Sequence, residues 1–334
     1  MQVARLHGVG NLRLHDEPIP TPASSESLVR VKAVGICGSD MHWLTEGSIG
    51  DMRLEQPLVL GHEFAGVIES GPQRGQRVAV DPAIACGVCE FCREGNPNLC
   101  EALRFAGVGA CDGALREYVA WETHCLYPLP DALTDADGAM LEPLGVAIHT
   151  VDLGHVRPGM TVGVFGCGSI GLLVIQVARV AGATRIIATD LLPHRLNAAR
   201  ALGATTFQAH DGEEADAVFA ATNKRGVDAA FEVAGQNAAV ETAIAVARPG
   251  SRVVLCGIPA GDRTSFSASS ARRKGLTLKL VRRMKHTYPR ALRLVEGGFV
   301  DVQSLVTHRF PLEQVEQAFA VAQRREGIKV MVEG

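Results

Sequence analysis

Three side chains on two short segments offer the donor set of a catalytic metal. Cys37 lies in Gly35-Ile36-Cys37-Gly38-Ser39-Asp40-Met41-His42, and His62 and Glu63 lie in Gly61-His62-Glu63-Phe64-Ala65-Gly66. A soft thiolate, an imidazole and a carboxylate make three protein ligands, and three ligands with an open fourth position is the catalytic zinc pattern. Such an ion polarises a substrate oxygen and lowers the pKa of a bound alcohol or water. Asp40 is expected to orient the His62 ring and fix its tautomer. Ser39 and His42 are placed to carry a proton away from the substrate. Taken singly, Cys37 would read as a small buried hydrophobe and His62 as a loop histidine. The pairing of the two segments carries the metal reading.

A second cluster follows. Cys86, Cys89, Cys92 and Cys100 form C-x2-C-x2-C-x7-C. Four thiolates in one short loop suit a tetrahedral structural zinc with no open position. The loop also holds Gly87, Gly95, Asn96, Pro97 and Asn98. With so little apolar content, ligation has to supply its order. An iron–sulfur cluster takes the same thiolates, and the spacing leaves iron open. The other five cysteines are dispersed along the chain. In a reducing compartment a dense cluster points to metal in place of disulfides.

The third constellation is a glycine turn. Val162-Gly163-Val164-Phe165 enters Gly166-Cys167-Gly168-Ser169-Ile170-Gly171, and an apolar run that reads as a helix follows. In a dinucleotide-binding turn the first glycine permits the sharp bend, the second lets backbone approach a pyrophosphate, and the third allows close helix packing. The helix N-terminus then presents free N–H groups to the phosphates. Asp190 stands 19 residues past Gly171, at the end of the next predicted strand. A carboxylate there bonds the ribose hydroxyls and repels a 2′-phosphate, which favours NAD over NADP. Arg195 lies close enough in sequence to meet such a phosphate, so NADP stays open. Glu142, in Leu141-Glu142-Pro143-Leu144, is a first-turn helix acid or a further group facing the metal.

The elements that must position these residues divide the chain in two. A length of 334 residues suggests about two domains. An apolar content of 47% is enough for sizeable cores, and a net charge of −3 gives no basic footprint for nucleic acid. No run of about 18 apolar residues reads as a membrane span. The first residues lack the apolar segment of a signal peptide, so a cytoplasmic location is expected. Residues 1–150 read as short strands, among them Leu28–Val34, Phe64–Ser70 and Gln76–Val80, with frequent turns, suggesting a distorted barrel or sandwich. Residues 151–285 alternate strands and alanine-rich helices, which predicts a parallel sheet with right-handed crossovers. The strands are expected at Thr161–Phe165, Thr184–Thr189, Thr205–Phe207, Val227–Val233 and Arg252–Cys256. Residues 286–334, with helices near Arg290–Val295 and Leu312–Arg324 and a strand at Ile328–Val332, return to the first texture. The second segment then reads as an insertion into a discontinuous catalytic domain.

Taken together, the Gly35–His42 segment, the Gly61–Gly66 segment, the four-cysteine loop, Glu142-Pro143-Leu144 and the glycine turn resemble the zinc-containing medium-chain dehydrogenases, in their order. Within these the chain is similar to the sorbitol (polyol) dehydrogenases. The resemblance implies a GroES-like β-rich catalytic domain plus a Rossmann domain with a doubly wound parallel sheet, and an active site in the cleft between them. It implies catalytic zinc on Cys37, His62 and Glu63, with Glu142 bonding directly or through water. It implies cofactor contacts at Ile170, Asp190 and Arg195 and, more loosely, at Cys256, Gly257, Ile258, Val281, Arg282 and Arg283. Substrate contacts are implied at Arg283, Trp43, Phe105 and Glu142. Trp43 and Met284 stand where animal sorbitol dehydrogenases carry tyrosines that contact substrate, so sorbitol itself is not assured.

The expected reaction is reversible oxidation of a secondary alcohol of a polyol or sugar to a ketone, with hydride passing to NAD+. Ser39, His42 and Glu142 are the proton-handling candidates, and two zinc ions per chain the expected metal content. The family also implies a homo-oligomer, dimer or tetramer. Two other readings compete: a threonine-3-dehydrogenase-like enzyme acting on a 2-amino-3-hydroxy acid, and a zinc-ribbon binding module without catalysis.

Overall fold

The computed structural model describes residues 1–210 and 212–334. The chain divides into two compact units, one formed by Met1–Gly145 and Tyr288–Gly334, the other by Val146–Thr287. The first unit is therefore discontinuous in sequence.

The first unit is built on a seven-stranded sheet. Its central strand, Glu26–Gly35, pairs antiparallel with Glu63–Ser70, with Tyr118–Glu122 and with Lys329–Glu333. Along the central strand Val29 and Val31 are buried while Arg30 and Lys32 are half-exposed. This period of two is what a strand with one core face requires. The core beneath the sheet gathers Val29, Phe64, Trp121 and Phe319 with Trp43 from the helix Gly38–Glu46. The closing segment brings the last strand against the first metal segment: Met331 lies opposite Gly35, and Ile36 N donates to Val330 O. The helix expected over Leu312–Arg324 is a 3-10 turn at Leu312–Gln314 followed by an α-helix at Val315–Gln323.

The second unit is a six-stranded parallel sheet. Its strands are β1 (Thr161–Phe165), β2 (Arg185–Asp190), β3 (Thr205–Gln208), β4 (Val227–Glu232), β5 (Ala247–Leu255) and β6 (Thr277–Leu280). They lie in the order β3-β2-β1-β4-β5-β6. The central strands are buried runs without alternation, such as Ile186-Ile187-Ala188-Thr189, as a sheet covered on both faces demands. β5 begins well before the expected Arg252, since an irregular register beside Val227 and Ala229 takes in its first residues. β6 has little apolar signature: Thr277, Lys279 and Leu280 are exposed on this edge strand. The strand order reverses between β1 and β4, and such a switch point is where open α/β sheets bind ligands, beyond the carboxyl ends of the strands.

Candidate metal centres and cofactor cradle

The sheet of the first unit delivers Cys37, His62 and Glu63 to one place. Gly35 and Glu63 face one another across paired strands. A Cβ on Gly35 would collide with the Glu63 carboxylate, so a side chain there would displace that carboxylate from its present place. Cys37 follows two residues later as the N-cap of the helix Gly38–Glu46, and His62 immediately precedes the Glu63 strand. One ligand atom from each of Cys37, His62 and Glu63 lies within 4.8 Å of the others. His62 and Glu63 are buried. A thiolate, an imidazole and a carboxylate at this separation fit a zinc ion with room for an exogenous ligand.

Asp40 organises the centre. Its Oδ2 accepts from Cys37 N at 2.9 Å and its Oδ1 from Gly61 N at 3.2 Å, so one carboxylate joins both metal-ligand segments. Oδ1 also lies 3.6 Å from His62 Nδ1. Burial opposes charge on His62, but Asp40 and Cys37 together hold its pKa well above the ordinary value. His62, with the Cys37 and Gly61 amides, brings Asp40 below the usual carboxylate range against its own burial. On the other side of the ring, Ser39 Oγ is 3.4 Å from His62 Nε2. Phe105 packs with a centroid separation of 5.2 Å. His42 turns elsewhere and shares a hydrogen bond of 2.8 Å with Glu46 one turn on. Trp43 is buried in the core, and its indole N–H has no hydrogen-bond partner among the described residues. Glu142 is buried in the first turn of the helix Leu141–Gly154.

Lys329 was not among the residues singled out from sequence. Its Nζ donates to Glu63 Oε2 at 2.6 Å, to Glu63 Oε1 at 2.8 Å and to Ile36 O at 3.1 Å. Burial pushes this lysine toward the neutral form, yet the negative charges of Glu63, Cys37 and Glu142 raise its pKa above the ordinary lysine value. Glu142 thus acts on Lys329 through its charge, while the donor atoms within 4.8 Å of one another are those of Cys37, His62 and Glu63. A sequence signal existed: one lysine heads the apolar closing strand Lys329-Val330-Met331-Val332, and a lysine in such a place is almost never fully buried unless paired.

The four cysteines also meet. One sulfur from each of Cys86, Cys89, Cys92 and Cys100 lies within 4.8 Å of the others. Cys86 N donates to Cys100 Sγ and Cys89 N to Cys86 Sγ, at 3.3 and 3.4 Å. The backbone N–H groups of Val88 and Cys89 draw the Cys86 thiol down to about 6, toward the thiolate that a metal takes. Around them the chain forms only the short helix Glu90–Arg93 and a 3-10 turn at Pro97–Leu99. A closed tetrahedral zinc site fits this donor set.

In the second unit the glycine turn leaves β1 and enters the helix Ser169–Val180. Gly166 takes a φ of 110°, and a Cβ on Gly171 would overlap the Gly166 carbonyl oxygen. The helix N-cap is Gly168 and makes no side-chain cap bond, which suits an anion at the N-terminus. Ser169 and Ile170 begin that helix. Asp190 ends β2; its Oδ2 accepts from Cys167 N at 2.7 Å and its Oδ1 from Leu192 N at 2.9 Å. The turn and the carboxylate are therefore one assembly. A Cβ placed on Gly168 would meet only Arg195 Nη1, at 3.6 Å. This cradle fits the phosphates and ribose of a dinucleotide. Cys256, Gly257 and Ile258 follow β5, and Cys256 Sγ accepts from Thr150 Oγ1 at 3.5 Å. Val281 N donates to Leu255 O at 2.9 Å. Arg282 is exposed, Arg283 takes a left-handed φ of 52°, and the buried Met284 accepts from Thr287 Oγ1.

Residues 23–131 match the family described as "Alcohol dehydrogenase GroES-like domain", and residues 169–297 match "Zinc-binding dehydrogenase". The chain is 36% identical to the sorbitol dehydrogenase of Bacillus subtilis (strain 168), over 99% of this chain and 97% of that one. It is 39% identical to a probable D-xylulose reductase A of Arthroderma otae, over 98% and 96% of the two chains. Among solved structures, L-idonate 5-dehydrogenase from Escherichia coli is similar with a TM-score of 0.91 and 28% identity, covering 100% of this chain and 98% of that one. On the sorbitol dehydrogenase match, with one β-rich unit that carries the donor triad and one parallel-sheet unit that carries the glycine turn, the chain belongs to the zinc-containing medium-chain dehydrogenases.

Proposed function

We propose that the protein oxidises a secondary alcohol of a polyol or sugar to the ketone, reversibly, with NAD+ as hydride acceptor. The observation that carries this reading is the convergence of Cys37, His62 and Glu63 in a protein whose second unit offers a dinucleotide cradle. The polyhydroxylated substrate class is supported by the names of the relatives: sorbitol, D-xylulose and L-idonate. NAD is supported by Asp190, whose charge disfavours a 2′-phosphate.

Zinc, when bound, supplies Lewis acidity toward a substrate oxygen, and NAD+ supplies the hydride acceptor. Cys37, His62 and Glu63 would hold the ion, with Glu142 as a further carboxylate at the same centre. Asp40 fixes the His62 ring at Nδ1 and, through Cys37 N and Gly61 N, sets the spacing of the two ligand segments. Lys329 holds the Glu63 carboxylate in place. Ser39 Oγ, next to His62 Nε2, is placed to accept the proton of the substrate hydroxyl and pass it to solvent. Cys86, Cys89, Cys92 and Cys100 would hold a second, structural zinc. On the cofactor side, the Gly166–Gly171 turn binds the pyrophosphate and Asp190 the adenosine ribose.

No helix among the described residues is long and apolar enough to cross a membrane. Nine free cysteines support a reducing, cytoplasmic setting. A homo-oligomer is part of this reading, supported by the edge strand β6 with Leu280 76% exposed. The test is an NAD+-reduction screen of zinc-loaded protein over stereochemically varied polyols and sugars. Formation of NADH with one stereochemical series is the expected result. A protein that binds NADH and zinc yet reduces NAD+ with none of them would overturn the proposal.

A further inference from the structure

Glu232 is the most deeply buried of the acids not yet discussed among the described residues. Glu232 ends β4, is 1% exposed, and follows the apolar run Ala229-Ala230-Phe231. Its Oε1 accepts from Ala234 N at 2.8 Å and from Gly235 N at 2.7 Å. Its Oε2 would lie 2.9 Å from a Cβ placed on Gly257. Its own carbonyl oxygen accepts from Cys256 N at 2.8 Å and from Gly257 N at 3.2 Å. Backbone amides of Ala234, Gly235, Gln236 and Gly257 favour the ionised carboxylate, while burial opposes it and raises its pKa overall. A buried carboxylate is costly unless it receives strong, charge-assisted hydrogen bonds, so its presence calls for a role.

The position of Glu232 supplies that role. In register it lies between Phe165, the last residue of β1, and Leu255, the last residue of β5. It therefore sits at the switch point, on the far side of the glycine turn from Asp190. The segments around it touch backbone to backbone. A Cβ on Gly166 would stand 3.0 Å from Ala234 N, and a Cβ on Gly257 would collide with Gly235 N. Gly235, with a φ of 68°, leaves no room for a side chain against Ile258 O. With the adenosine ribose at Asp190 on β2 and the pyrophosphate at the turn after β1, a dinucleotide crossing the switch point lays its other half over the ends of β4 and β5.

We propose that Glu232 is a positioning residue for the nicotinamide half of the cofactor: its carboxylate holds the amides of loop 233–236, its carbonyl oxygen holds those of Cys256 and Gly257, and the residue so fixes the backbone which that half meets. This rests on the dehydrogenase reading above. Pre-forming the loops spares the cofactor the entropy of ordering them.

The test compares zinc-loaded parent protein with Glu232→Gln and Glu232→Asp. Dissociation constants for NADH and for ADP-ribose, which lacks the nicotinamide half, are measured alongside kcat and KM for NAD+. Each variant is expected to weaken NADH binding and raise KM for NAD+ by about tenfold, the order of one lost charge-assisted hydrogen bond. ADP-ribose binding should stay within about twofold, and kcat at saturating NAD+ should fall far less than affinity. Unchanged NADH binding, or equal losses for NADH and ADP-ribose, overturns the proposal. A parent protein that binds neither ligand overturns the dehydrogenase reading instead. Should both variants fail to fold, hydrogen exchange in the cofactor-free parent decides: the Ala234 and Gly235 amides must be protected like those of β4, and free exchange there rejects the tie.

Discussion

Lys329 Nζ lies 2.6 and 2.8 Å from the two carboxylate oxygens of Glu63, and both side chains are buried. The last strand of the chain thus neutralises a candidate metal ligand set by its second segment. Removing one partner of such a pair leaves an uncompensated buried charge. Lys329→Met is expected to lower unfolding stability by about 3–5 kcal/mol. The double variant Lys329→Met, Glu63→Gln should recover a large part of that loss, since no charge is then stranded. Chemical denaturation of the four proteins in the cycle checks this. Additive losses would show that the pair is not coupled.

Metal content separates the two cysteine-containing centres. Fully loaded protein should contain about two zinc per chain, and Cys92→Ser about one. The loop of Cys86, Cys89, Cys92 and Cys100 has almost no core of its own, so Cys92→Ser should lower the melting temperature markedly. Zinc in the other centre should be retained. Cys37→Ser should show the opposite pattern, with turnover lost and the fold kept. Elemental analysis with thermal denaturation reads both outcomes. Iron and a visible absorption band in place of the second zinc would assign the four-cysteine loop to an iron–sulfur cluster.

Legibility in the sequence followed the range of the interactions. The glycine turn, Asp190 and the parallel sheet were readable because local steric demands and uninterrupted apolar strands write them into short segments. Cys37, His62 and Glu63 were readable because their residue types are costly to place together without a use. Lys329 was not, since its partner lies 266 residues away and only strand pairing shows that Met331 faces Gly35. Glu232 was passed over for a related reason: inside the expected strand Val227–Val233 a single acid carries no spacing signal. Its amide partners are defined by loop geometry that no spacing rule encodes. β6 escaped notice because an exposed edge strand has no apolar alternation to reveal it.

Asp228 gives the second unit an acid-sensitive contact. Burial opposes its ionisation, but Arg225, Thr161 N and Arg248 outweigh burial and bring its pKa from an ordinary 3.8 down to about 2. The contacts are 2.6 Å to Arg225, 2.9 Å from Thr161 N and 2.7 Å to Arg248. A folded-state pKa below the unfolded one contributes stability that is present above the unfolded value and lost as pH falls through the folded value. Asp228→Asn should therefore cost about 1–2 kcal/mol near neutral pH, discounted for the exposure of Arg225. The gap to the parent should narrow as pH falls from about 4 toward about 2. Urea titrations of both proteins over that range provide the measurement, and a gap independent of pH would exclude this origin.

Asp190 and Arg195 set opposing preferences at the adenosine end of the cradle. Asp190 repels a 2′-phosphate, while Arg195 Nη1, 3.6 Å from a Cβ placed on Gly168, would attract one. Asp190→Asn removes the charge and keeps one oxygen able to accept from Cys167 N, while its NH2 can no longer accept from Leu192 N. The glycine turn should then keep its tie to residue 190, with stability lowered by about 1 kcal/mol for the one lost bond. Catalytic efficiency with NAD+ should fall and that with NADP+ should rise, moving their ratio by about 100-fold, equivalent to roughly 2.7 kcal/mol. Adding Arg195→Ala should remove the gain with NADP+ and leave the loss with NAD+ in place. Steady-state kinetics with both cofactors at one fixed polyol concentration reads each ratio. If Asp190→Asn weakens NAD+ and NADP+ alike, the carboxylate acts only by holding the turn, and discrimination between the cofactors lies elsewhere.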